Sequence, residues 1–174
     1  MPRVILTVSL LVLFLLEGTV ASFFSPSAWG MSMTTVPRFA LVGTILCSLF
    51  LGRREGLFYG MMVGLMHDIQ LGQVIGVYTL TMMVAGYFAG LISLLFHRSL
   101  AVVISTVLLV LFGHEWLLYS VFRLFYTSSV DVQWFLNQRI LPTVAANMLF
   151  AVLVYAPYYA MCEKVLDTRE RQLE

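Results

Sequence analysis

Long apolar runs alternate along the chain with short polar breaks, and the lengths of the runs predict helices that cross a membrane. Crossing a hydrocarbon core of ~30 Å takes about 20 apolar residues, with about 17 as the lower limit. The runs fall at residues 4–24, 37–51, 56–66, 74–96, 100–125 and 140–161. Between them lie residues 25–29 around Pro26, the Gly52-Arg53-Arg54-Glu55 turn, residues 67–73, His97-Arg98-Ser99 and residues 127–139. The second and third runs are short. They predict a tight helical hairpin whose ends other helices must shield, because unpaired backbone groups are costly in lipid. The expectation is an all-α integral membrane protein of about six transmembrane helices. Residues 1–174 then form a single polytopic membrane domain, with 162–174 as a cytoplasmic tail.

Composition agrees. Of 174 residues, 60% are hydrophobic and 11% charged, and the mean hydropathy is +0.92. Soluble domains run near 45–50% apolar and about 25% charged, so this chain has too few charges to cover its own apolar surface in water. Lipid must do that. The placement of the charges sets orientation. With Met1 inside, Arg3, Arg53, Arg54, Arg98, Lys164, Arg169 and Arg171 lie on the cytoplasmic side, against Arg38, Arg123 and Arg139 at the outer side. That asymmetry predicts an N-in/C-in protein with an even number of spans. Arg3, the apolar run 4–16 and the small residues near Val20-Ala21-Ser22 also fit a cleavable signal within residues 1–21, which would leave the remaining topology unchanged. The net charge of +1 comes with no basic stretch long enough for nucleic acid.

The most specific pattern is glycine spacing. Gly52, Gly56, Gly60, Gly64, Asp68, Gly72 and Gly76 recur every four residues. Positions i and i+4 share a helix face, so Gly56, Gly60 and Gly64 make a smooth groove into which another helix backbone can settle. Gly86 and Gly90 repeat the spacing in the fourth span. The groove set, Gly56, Gly60, Gly64, Gly72 and Gly76, reads either as internal packing or as an interface with a partner helix.

Ionisable residues inside a membrane are costly, which makes them candidates for function. Glu17, Asp68 beside His67, His114 and Glu115 all fall toward the outer half, with Arg38 at the outer start of the second span. Glu115, Tyr119 and Arg123 share one face of the fifth helix by their four-residue spacing. Two accounts fit the set Glu17, Asp68, His114, Glu115 and Arg123. In one, Glu17 and Glu115 pair with Arg123 or Arg38 and hold the bundle together. In the other, the set lines a polar cavity, open to the outside, for a ligand or a partner's membrane helix.

Catalytic signatures are missing from the sequence. Glu115 is followed by Trp116, Leu117, Leu118 and Tyr119, which is not H-E-x-x-H, and no G-x-S-x-G, Walker loop or dinucleotide fingerprint occurs. Cys47 and Cys162 lack metal-ligand spacing. The expectation is no catalysis, no metal and no cofactor. Trp29, Trp116, Trp134, Tyr119 and Tyr126 read as an outer interfacial belt.

The stretch from Gly56 through Gly76, with G-L-x-x-D on Gly64, Leu65 and Asp68 and turn glycines at Gly72 and Gly76, resembles the bacterial MreD family. That resemblance implies a non-enzymatic component of the cell-elongation machinery (the elongasome) in the inner membrane. It implies MreC as the direct partner, with MreB, RodA and a class B penicillin-binding protein in the same complex. The outer polar residues and the glycine groove would receive MreC, while Arg53-Arg54, His97-Arg98 and the tail would face the cytoplasmic filament. The alternative is a substrate-binding S-component of an energy-coupling-factor vitamin transporter, also six-helical, with Glu17, Asp68, His114 and Glu115 around its cavity. Against it, the first span begins Val4-Ile5-Leu6-Thr7-Val8-Ser9-Leu10 and lacks the A-x-x-x-A stripe of such proteins.

Overall fold

The computed structural model describes residues 2–23, 34–71, 74–96, 99–125 and 131–171, and these are helical apart from short connections. The helices are α1 (Pro2–Phe23), α2 (Phe39–Leu51), α3 (Arg53–Leu71), α4 (Val77–Leu95), α5 (Leu100–Phe125), α6 (Val132–Phe135) and α7 (Leu141–Glu170). A π-helical turn, Leu136–Ile140, joins α6 to α7 with helical dihedrals on both sides, so the three run on as one rod. An all-α, multi-pass membrane fold is thus what the chain adopts. Among the described residues, four stretches are long and apolar enough to cross: Arg3–Val20, Val77–Leu95, Leu100–Phe125 and Val132–Thr168.

Several boundaries move from the sequence reading. The third run, read as 56–66, extends to Arg53–Leu71, because Arg53, Arg54 and Glu55 open α3 instead of forming a turn and residues 67–71 continue it. The sharp break is Gly52 alone, whose φ of 105° only glycine adopts without strain. The last span begins before 140, since residues 132–140 are helical, and α7 runs through Glu170 into what the sequence suggested as a tail.

The short second run is the centre of the molecule. α2 has 13 residues, ~20 Å of helix, and every residue from Ala40 to Phe50 is buried. It packs on α1, α3, α4, α5 and α7. Other helices, not lipid, are its solvent, which is how a helix shorter than the hydrocarbon core is tolerated. Gly43 permits close approach here: an added Cβ would lie 2.8 Å from the Tyr158 hydroxyl and 2.9 Å from Leu10 and Leu13.

The glycine stripe is spent on α3 against α4. An added Cβ at Gly56 would lie 2.4 Å from the Gly86 carbonyl, at Gly60 2.4 Å from the Met82 carbonyl, at Gly64 2.5 Å from the Thr79 Cα, and at Gly90 2.4 Å from the Arg53 Cα. With no hydrophobic drive between helices in lipid, this backbone-to-backbone contact supplies much of their association. The groove is therefore filled from within the chain, and Gly76 is not part of it. Gly76 caps α4 in the left-handed region (φ 101°), with open space around it. Gly72 lies outside the described residues.

Three contacts fix how the helix ends stack. Arg3 at the start of α1 pairs with Glu55 at the start of α3 at 3.4 Å. Ser9 of α1 meets the Tyr158 hydroxyl of α7 at 3.2 Å. Phe50 at the end of α2 packs on Tyr159 of α7, with ring centroids 5.3 Å apart. The start of α1 and the end of α7 therefore share one end of the bundle. The basic-residue bias predicts that this end faces the cytoplasm, and the opposite end is termed the outer one on that expectation.

Candidate functional site

Helices α2 and α4 and the α6–α7 rod start at the outer end, and each start leaves backbone N–H groups without an intrahelical partner. In lipid those groups must be satisfied from elsewhere. This requirement accounts for much of the polar chemistry there. α2 has no side-chain cap of its own, and Glu17 Oε2 of α1 accepts the Ala40 N–H at 3.1 Å. α4 is preceded by Gly76, which has no side chain. Asp68 of α3 accepts the Tyr78 and Thr79 N–H groups at 3.0 Å each, and the Thr79 hydroxyl as well. Carboxylates at helix N-termini also sit favourably in the helix dipole.

Arg38 ties Glu17 to Glu115 in one buried network. Its Nε donates to Glu115 Oε1 at 2.8 Å, and its Nη1 lies 4.0 Å from Glu17 Oε1. The guanidinium carbon sits 5.5 Å from the Tyr78 ring centroid. His67 closes the other side, with Nε2 2.9 Å from Glu17 Oε1 and Nδ1 3.0 Å from the Val63 carbonyl. The His67 ring is held between Phe14 and Tyr78, at 4.9 and 5.9 Å. His114 Nε2 meets the Thr81 hydroxyl at 3.4 Å, and its Nδ1 is 3.7 Å from Glu115 Oε1. Arg38, Glu17, His67, Asp68, His114 and Glu115 are all buried.

A second layer holds the non-helical segment that leads into α2. Asn147 of α7 accepts the Arg38 N–H at 2.7 Å and donates to the Val36 carbonyl at 2.9 Å. The Thr143 hydroxyl accepts the Val36 N–H at 3.1 Å, and the Gln138 carbonyl accepts the Thr34 N–H at 2.8 Å. In an α-helical register that carbonyl's partner would be the N–H of residue 142, which is Pro142 and has none.

Of the residues singled out in the sequence, Glu17, Asp68, His114 and Glu115 come together at this end. Arg123 does not join them. It is exposed near the end of α5, with its guanidinium 3.5 Å from the Tyr119 hydroxyl. The cation that serves Glu17 and Glu115 is Arg38, one of the two that the sequence offered. Asn147, Thr143 and Pro142 were missed. A lone amide in an otherwise apolar run was the available signal for Asn147.

Arranged this way, the groups cap, pair and cross-link five helices and the α2 lead-in. Comparisons with known proteins agree on the family. The model of the rod shape-determining protein MreD family matches residues 2–165. The chain belongs to the MreD family. A curated relative, the rod shape-determining protein MreD of Bacillus subtilis (strain 168), is 24% identical over 122 residues, which cover 70% of this chain and 71% of that protein. No solved structure matches. Membership of the MreD family makes this chain a component of rod-shape determination, with several membrane-spanning helices.

Proposed function

We propose that this chain is a non-enzymatic scaffold of the cell-elongation machinery in a bacterial inner membrane. It binds the single-span protein MreC and helps position RodA, a class B penicillin-binding protein and MreB. The observation that carries a scaffold role is the buried network around Arg38. Its carboxylates Glu17, Asp68 and Glu115 are engaged by Arg38, His67 and helix-end N–H groups, which suits a rigid framework better than a reacting centre. The glycine groove is filled by α4, so MreC docks on another face. The basic residues Arg53 and Arg54 and the end of α7 face the filament side.

The vitamin-transporter reading draws less support. It needs Glu17, Asp68, His114 and Glu115 around one cavity; instead Glu17 and Glu115 pair with His67 and Arg38, Asp68 caps α4, and His114 alone of the four lines a cleft. A pull-down of the tagged chain from native membranes in mild detergent, with partners identified by mass spectrometry, separates the two readings. Recovery of MreC with peptidoglycan synthases is the expected result. Recovery of ATPase subunits with a coupling protein, and no MreC, overturns the scaffold reading.

A further inference from the structure

A cleft of ≈ 300 Å³ opens between α4 and α5 on the outside of the bundle, separate from the Arg38 network except where His114 reaches it. Its walls are apolar, with Val84, Phe88 and Ile92 on one side and Leu109 and Leu117 on the other. Phe88 and Leu109 are 52% and 62% exposed, so the cleft opens sideways into the lipid. Gly113 lines it, and a Cβ added there meets nothing within 4 Å. Only the outer end is polar, where the Thr81 hydroxyl meets the His114 imidazole, whose Nδ1 has no hydrogen-bond partner among the described residues.

Size decides what enters. From Thr81 to Ile92 the cleft follows α4 for about 16 Å. Spread over that length, its volume makes a slot much narrower than a helix. A helix with side chains is ~10–12 Å across, on the order of 80–110 Å² in section, so a partner helix is excluded from the interior. A single extended hydrocarbon chain is not. The polarity runs the same way as a lipid's. Thr81 lies only ~6 Å along the axis from the outer end of α4, and everything deeper is apolar.

We propose that this cleft binds one acyl chain of an outer-leaflet phospholipid, with the polar glycerol-ester region placed at Thr81 and His114. This holds independently of MreC binding, since nothing in it uses the proposed partners.

The test reconstitutes the full chain in phosphatidylcholine vesicles that contain a trace of phosphatidylglycerol carrying a photoactivatable diazirine midway along one chain. Cross-linked residues are then mapped by mass spectrometry. Expected is labelling at Phe88, Leu109 and Leu117 at least about tenfold above Val12 and Leu153, which face lipid elsewhere, and saturable by unlabelled phosphatidylglycerol. Gly113→Phe fills the cleft and Leu109→Trp covers its rim, and each removes the preference. The rim variant decides the matter if the filling variant does not fold. Uniform, non-saturable labelling of all exposed positions overturns the proposal, as does unchanged labelling in a folded variant. Cross-linking of Phe88 and Leu109 to another protein's helix in native membranes, in place of lipid, overturns it too.

Discussion

Arg38, the residue that precedes α2, and Glu115 of α5 form a 2.8 Å ion pair in which each side chain is 1% exposed. Removing one partner of such a buried pair leaves an uncompensated charge and costs about 3–5 kcal/mol, whereas replacing both by apolar residues costs far less. Glu115→Leu is therefore expected to lower the thermal unfolding temperature of the purified chain in detergent strongly. The double variant Arg38→Met/Glu115→Leu should recover part of that loss. Additive losses in the two single variants would show that the pair is not coupled.

Asp68 caps α4 through two backbone N–H groups from a different helix. Loss of a capping side chain costs about 0.5–2 kcal/mol. Asp68→Ala should destabilise by that amount, and Asp68→Asn, which keeps one acceptor oxygen, by less. Comparing detergent melts of the two variants checks this order.

Glycines on α4 and α5 should respond in opposite ways to the same methyl group. At Gly86 an added Cβ would lie 2.2 Å from the Gly56 carbonyl, while at Gly113 it meets nothing within 4 Å. Gly86→Ala forces α3 and α4 apart, with an overpacking cost of about 1–3 kcal/mol. Gly113→Ala should be neutral or stabilising by up to about 1 kcal/mol, from helix propensity alone. Equal effects in a thermal-shift assay would contradict the packing described here.

Asn147→Leu strips the Arg38 N–H and the Val36 carbonyl of their partners at once. Each unsatisfied buried group costs about 1–3 kcal/mol. The variant should therefore accumulate poorly in membranes and exchange the Arg38 amide faster than wild type by hydrogen–deuterium exchange. Thr143→Val, which removes a single hydrogen bond to Val36, should be the milder change.

The orientation has its own check. Cys47 and Cys162 are buried, so a cysteine placed at Arg54 is the reactive one in intact vesicles. An impermeant maleimide should label Arg54→Cys from the cytoplasmic face only.

How far the sequence could be read depended on the range of the forces involved. Apolar run length located the crossings because lipid acts on each helix by itself. Four-residue glycine spacing marked the close-packing face of α3 but not its occupant, which is α4, with Gly86 on Gly56 and Gly90 on Arg53. The acids were found because charge is rare in such a chain. Their partners were harder to find. Arg38 and Arg123 are equally plausible by spacing, and only the burial of α2 brings Arg38 to Glu115. The central place of α2 was not visible either. A short apolar run looks the same whether other helices or lipid surround it. Asn147 and Thr143 pair with a segment more than a hundred positions away, a relationship that local patterns do not record.

The sheathing of α2 also imposes an order on how the chain is built. Glu17, which receives the Ala40 amide, precedes it by 23 positions and has already been made when α2 emerges. Glu115, the closer partner of Arg38, arrives 77 positions after it. During synthesis the arginine thus has Glu17 as its available counter-ion until α5 enters, and then gains its second. The innermost helix is therefore made before the α5 and α7 residues that enclose it.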